Sequence, residues 1–105
     1  MVLKKTRVPI VLLVLAVAGC GRPAQIGADP EVFKTVDALY TAVSLRDPKL
    51  VDPCLATLKS LHDAGKLPGD ALTTLEGMIE EAKGGAWEDA QTRLARFMQG
   101  QRRGR

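Results

Sequence analysis

The chain has 105 residues and a formal net charge of +3, which leaves room for one small domain and excludes a multidomain enzyme. Lys4, Lys5 and Arg7 account for the whole surplus, because no acidic residue accompanies them and the remaining chain holds twelve residues of each sign. A balanced remainder gives no support for nucleic-acid binding, so no nucleic-acid partner is expected.

The first nineteen residues have the order of a secretory signal. A positive start is followed by the apolar run from Val8 to Ala18, and the small residues Ala18 and Gly19 stand before Cys20. That run is shorter than the roughly 20 apolar residues a membrane-crossing helix needs. Pro9 also disfavours one long helix, since proline lacks the amide hydrogen and clashes with the preceding turn.

Val17-Ala18-Gly19-Cys20 resembles the lipobox of bacterial lipoproteins, in which a branched apolar residue and two small ones precede the cysteine. The resemblance implies thioether acylation of Cys20, cleavage before it by the lipoprotein signal peptidase, and a further acyl chain on the new amine. Two or three chains anchor stably where one is marginal, at about 0.8 kcal/mol per buried methylene. The location implied is a cell membrane or outer membrane, with the protein facing periplasm or exterior. Gly21, where some bacteria place an inner-membrane retention aspartate, permits the outer membrane. With Cys20 acylated, Cys54 has no partner in the chain, and no disulfide is expected.

Residues 20–29 carry glycine, proline and no periodicity, and are expected to form the lipidated N-terminus and a flexible tether. Asp29-Pro30 then supplies a cap and a proline at the first helical position. Val32, Val36, Leu39 and Val43, with Phe33 and Tyr40, form one apolar stripe, which predicts a helix from about Pro30 to Leu45. Asp47-Pro48 repeats the start signal. Leu50, Val51, Cys54, Leu55, Leu58 and Leu61 continue an amphipathic pattern to about Ala64, where Gly65 is a natural stop. Pro53 is expected to kink this helix if it starts at Pro48, whereas a start at Asp52-Pro53 would leave residues 47–51 as a preceding turn.

Pro68-Gly69-Asp70 opens a third helix carrying Leu72, Leu75, Met78, Ile79 and Ala82, and Gly84-Gly85 breaks it. Trp87, Ala90, Leu94, Phe97 and Met98 form the last stripe. Glu88 and Asp89 at its start, and Arg102 and Arg103 past its end, suit the helix dipole. Residues 101–105 are expected to fray, with 103–105 a disordered basic tail. No segment alternates apolar and polar residues in the manner of a strand. The expected fold is therefore all-α, a small bundle of about four short helices arranged as two helical hairpins over residues 30–102.

Two loose resemblances concern architecture. Gly85-Ala86-Trp87-Glu88-Asp89-Ala90, followed by Leu94, resembles the turn and second helix of a tetratricopeptide repeat. Met78 and Thr74 depart from that pattern in the preceding helix and no second copy is visible, so it implies a hairpin of similar packing and no more. From Leu55 to Leu94 the leucine spacing, the Ala64-Gly65-Lys66-Leu67 turn and the Gly85/Trp87/Ala90 group resemble the small helical domain of the steroid receptor RNA activator protein. A generic helical fold carries no function across.

Candidate chemistry is sparse. Cys54 lies on an apolar stripe, where a cysteine behaves as a small hydrophobe. His62 is the single histidine, its sequence neighbour Asp63 does not share its helical face, and a place at the surface or its boundary is expected. Glu76 and Glu80 share a face with Lys83 following, the pattern of a solvated helix surface. Trp87 is either a core anchor of the last hairpin or an exposed contact residue, since tryptophan is enriched in interface hot spots. The expectation is a non-catalytic, membrane-anchored interaction module that binds an envelope protein through an apolar groove between helices, with no cofactor or metal. The alternatives are a small-ligand binder or enzyme using Cys54, His62 or the Glu76/Glu80 face, and a structural, self-associating lipoprotein.

Overall fold

The computed structural model describes residues 24–101. Within them lie four helices and no strand: α1 (Pro30–Ser44), α2 (Pro48–Asp63), α3 (Gly69–Lys83) and α4 (Trp87–Gln99). The signal segment 1–19, Cys20 and the basic tail 103–105 lie outside the described residues.

Local chemistry sets where each helix begins. The Asp29 carboxylate accepts from the Glu31 amide at 2.8 Å and that of Asp47 from the Lys49 amide at 2.9 Å. Pro30 and Pro48 follow as first helical residues, where a missing amide hydrogen costs nothing. Neither α3 nor α4 has a side-chain cap. Asp70 in the first turn of α3, and Glu88 and Asp89 in that of α4, favour those ends through the helix dipole.

Three helix ends close with one device, two crossed backbone bonds around a residue in the left-handed region. Gly65 (φ +79°) and Gly85 (φ +107°) occupy that place after α2 and α3. Their amides donate to His62 O and Ala82 O, each at 2.9 Å. After α1 the place belongs to Arg46 (φ +54°), whose amide donates to Val43 O at 3.0 Å. A side chain there costs about 1–2 kcal/mol, against which glycine's freedom in the unfolded chain must be set. Arg46→Gly is therefore expected to raise stability by about 0.5–1 kcal/mol, read as a melting temperature higher by roughly 4 °C.

Pro53 sits inside α2, which runs continuously from Pro48 to Asp63. Its ring deprives the Lys49 carbonyl of a helical partner. Lys49 and Pro53 are both exposed, so water can serve that carbonyl.

The helices run up, down, up and down. Each packs on its chain neighbours, and α1 closes the ring against α4. Leu39 of α1, Leu58 of α2, Leu75 of α3 and Leu94 of α4 are all buried in the shared core. Exposed ion pairs mark the two ends. Lys66 after α2 lies 4.0 Å from Asp29 and 3.5 Å from Glu31 at the start of α1, while Lys83 at the end of α3 meets Asp52 near the start of α2 at 2.5 Å. Pairs this exposed are worth about 0–1 kcal/mol each.

The tether expectation for residues 20–29 is corrected over its described part. Ile26 is buried at 1% exposure among the core residues. Its amide donates to Gln101 Oε1 at 2.8 Å, Gln25 Nε2 donates to Gly100 O at 3.1 Å, and Gln101 Nε2 donates to Ala24 O at 2.9 Å. The fraying expected from residue 101 is corrected with it, because Gln101 is held between Ala24 and the Phe97 carbonyl. The physical reason is tertiary: the end of α4 leaves apolar surface next to Val36 and Met98, and Ile26 covers it. Only residues 21–23 separate Cys20 from the described domain.

Candidate functional site

Cys54 lies on α2 at 9% exposure, in the core cluster with Val51, Leu58 and Leu61. Burial pushes its thiol pKa up, since an apolar setting disfavours the thiolate. A nucleophilic cysteine needs the opposite shift. The site therefore supplies packing.

His62, half-buried near the end of α2, is eight residues from Cys54, a rise of about 12 Å along a helix. The two do not meet. Its Nδ1 lies 2.8 Å from the Leu67 carbonyl oxygen. A carbonyl only accepts, so Nδ1 carries the hydrogen, and the ring ties the last turn of α2 to the residue that leads into α3. Leu67 itself is buried at 2% exposure. This bond gives the single histidine a structural task that its sequence surroundings do not reveal.

Glu76 is half-buried and Glu80 exposed on α3. Glu81, their neighbour, pairs with Arg93 of α4 at 2.6 Å. Among the described residues no group of three or more His, Cys, Asp or Glu side chains is placed to hold a metal ion. No helix of the described residues is long and apolar enough to cross a membrane.

Trp87 is the first residue of α4 and packs, half-buried, against the core. It is thus part anchor and part surface. Between α1 and α4 lies an open depression, where Gln91 Nε2 donates to Tyr40 Oη at 3.4 Å beside Glu88, Thr92 and Arg96. Its lining is mostly polar. A small hollow lined by Ile26, Phe33, Val36 and Met98 together with Asp37 and Gln101 measures about 10 Å³, the lower limit for a single water.

Exposed apolar side chains occur elsewhere. Leu45 and Leu50 are 62% and 44% exposed and flank the turn between α1 and α2. Arg46, Asp47 and Lys49 stand between them in the chain. Since Ala24 and Gln101 mark the opposite end of the bundle, these leucines lie as far from the N-terminal segment as the fold allows. Sequence periodicity does not single them out: Leu50 follows the spacing of the second apolar stripe, and Leu45 only marks the expected end of the first helix.

No protein-family model matches the chain, and no curated protein or solved structure is significantly similar to it.

Proposed function

We propose that the chain is a small bacterial lipoprotein, acylated on Cys20 and held at an envelope membrane, whose helical domain is a non-catalytic module for contact with another envelope protein. The observation that carries the reading is Val17-Ala18-Gly19-Cys20 at the end of an apolar run with a basic start. Ile26 docked in the core supports it from the other side, because a domain that begins four residues after the anchor stays within about 14 Å of it. On this reading the surface offered to a partner is the α1–α2 turn, with Leu45 and Leu50 as the apolar contacts and Trp87 at the neighbouring start of α4. Two leucines ringed by polar groups suit a small, reversible interface, since standard ones bury about 800 Å² per partner.

The test is acylation. Full-length protein made in bacteria should carry acyl mass on Cys20 and sediment with membranes, whereas Cys20→Ala should lose both. Wild-type protein recovered without acyl mass, or released from membranes by a simple wash, sinks the anchored reading. Cross-linking in intact cells then tests the contact: Leu45→Asp with Leu50→Asp should abolish any adduct that wild type forms while leaving acylation unchanged.

A further inference from the structure

We infer that the partner received at the α1–α2 turn is a basic amphipathic protein segment, whose apolar residues seat on Leu45 and Leu50 and whose lysines or arginines meet an acidic surplus at the same end of the bundle. The inference rests on the proposed contact with an envelope protein and adds the chemistry of that contact.

Four helix ends meet there. Gln91 Nε2 donates to Tyr40 Oη at 3.4 Å, which sets the end of α1 beside the start of α4, and Lys83 at the end of α3 meets Asp52 near the start of α2 at 2.5 Å. Leu45 and Leu50, at 62% and 44% exposure, are the exposed large hydrophobic residues among those described. Glu80, Glu88 and Asp89 are exposed as well, and each lies within about 5 Å of its helix end at a rise of about 1.5 Å per residue.

Cutting each helix at its midpoint puts residues 37–55 and 76–93 in the half that holds the turn. That half has eight acidic and four basic residues, whereas the described residues of the other half, 24–36, 56–75 and 94–101, have four of each. Lys83 pairs with Asp52 and Arg93 with Glu81. Arg46 and Lys49 are then left against six carboxylates that have no ion pair among the described residues. Two helix N-termini and two C-termini meet at this end, so their dipoles cancel and do not offset the surplus.

The surplus selects the occupant. A second copy joined end to end about a twofold axis brings like charges together, and anionic phospholipid or nucleic acid is repelled. The apolar patch is small, because two leucines cover only part of the roughly 800 Å² that each partner gives to a standard interface. Charge must therefore set encounter and register, while the leucines hold the segment once it is placed. A helix with apolar residues three or four apart and lysine or arginine beside them meets both needs.

Synthetic peptides test the inference. Full-length protein in a neutral detergent is titrated with a helical leucine–lysine peptide, a leucine–glutamate peptide of the same apolar pattern, and a serine–lysine peptide, with affinity and amide exchange as readouts. The leucine–lysine peptide alone should bind, slowing exchange in residues 45–52 and 80–90 and leaving residues 24–31 and 96–101 unchanged. Glu80→Gln with Glu88→Gln and Asp89→Asn should weaken it about tenfold, at roughly twofold for each exposed charge pair. Leu45→Ser with Leu50→Ser should weaken it on the order of a hundredfold without altering charge. Neither set contains a buried residue, so the fold is retained. Absence of binding by the leucine–lysine peptide overturns the inference, as does equal binding by either of the others, or an acidic-residue variant that binds as wild type. Protein whose size grows with concentration through Leu45 and Leu50 reassigns the turn to a second copy, and slower exchange of residues 45–52 on anionic vesicles reassigns it to lipid; either result overturns the inference. The titration needs no acyl group, so failure of the Cys20 anchor leaves it intact. A cellular adduct that is lost in the leucine variant yet indifferent to the three acidic substitutions leaves the contact standing and overturns its basic partner.

Discussion

Leu58→Ala is expected to destabilise the domain by about 3–5 kcal/mol and to bring it close to unfolding at room temperature. Leu58 has no exposed surface and sits midway along α2, where the core of all four helices meets. Truncation removes apolar contacts and leaves a cavity that close packing cannot easily collapse. The loss must be set against the total. A domain of this size holds on the order of 4–12 kcal/mol, at about 0.05–0.15 kcal/mol per residue. In urea the midpoint should fall by roughly 3–5 M, given a slope near 1 kcal/mol per M for small proteins. Leu45→Ala is the control. At 62% exposure Leu45 contributes little to the core, and its truncation should change stability by less than about 0.5 kcal/mol. Equal losses at the two leucines would mean that the core is not where the fold places it.

The helices were legible in the sequence because their signals are local. Asp29-Pro30 and Asp47-Pro48 give cap and first residue within two positions, and both carboxylates make the expected bonds. The spacing of Val51, Cys54, Leu58 and Leu61 was enough to put Cys54 inside, since four points at helical intervals define a face. Gly65 and Gly85 announced their turns through the conformation only glycine adopts freely. Arg46 takes the same conformation without glycine, and nothing in its neighbourhood marks it.

What was not legible depends on contacts between distant residues. Ile26 is a lone apolar residue between Gln25 and Gly27, so no periodicity identifies it, and its partner Gln101 is 75 positions away. His62 was expected at the surface or its boundary, and it is half-buried. Its bond to the Leu67 carbonyl, however, depends on how the α2–α3 turn closes. Leu50 reads as part of the second apolar stripe because its spacing fits a helix, yet it lies with Leu45 at the bundle's end, where both are exposed. The double character of Trp87 has the same origin: the first residue of a helix lies at a bundle end, with one side on the core and the other in solvent.

Ile26→Ala should cost about 2–4 kcal/mol, whereas a residue in a solvated tether would cost less than about 0.5. The larger figure follows from 1% exposure and from the small hollow already present beneath the side chain, which truncation would enlarge. Gln101→Ala should cost about 1.5–4.5 kcal/mol, because one side chain serves the Ile26 amide, the Ala24 carbonyl and the Phe97 carbonyl, at about 0.5–1.5 kcal/mol for each bond. The two costs should not add. Once Ile26 no longer holds the segment down, the bonds from Gln101 are lost with it, so the double variant should be more stable than the sum of the singles implies by about 1 kcal/mol or more. Additive losses would mean that the two residues act independently and that no joint clasp exists.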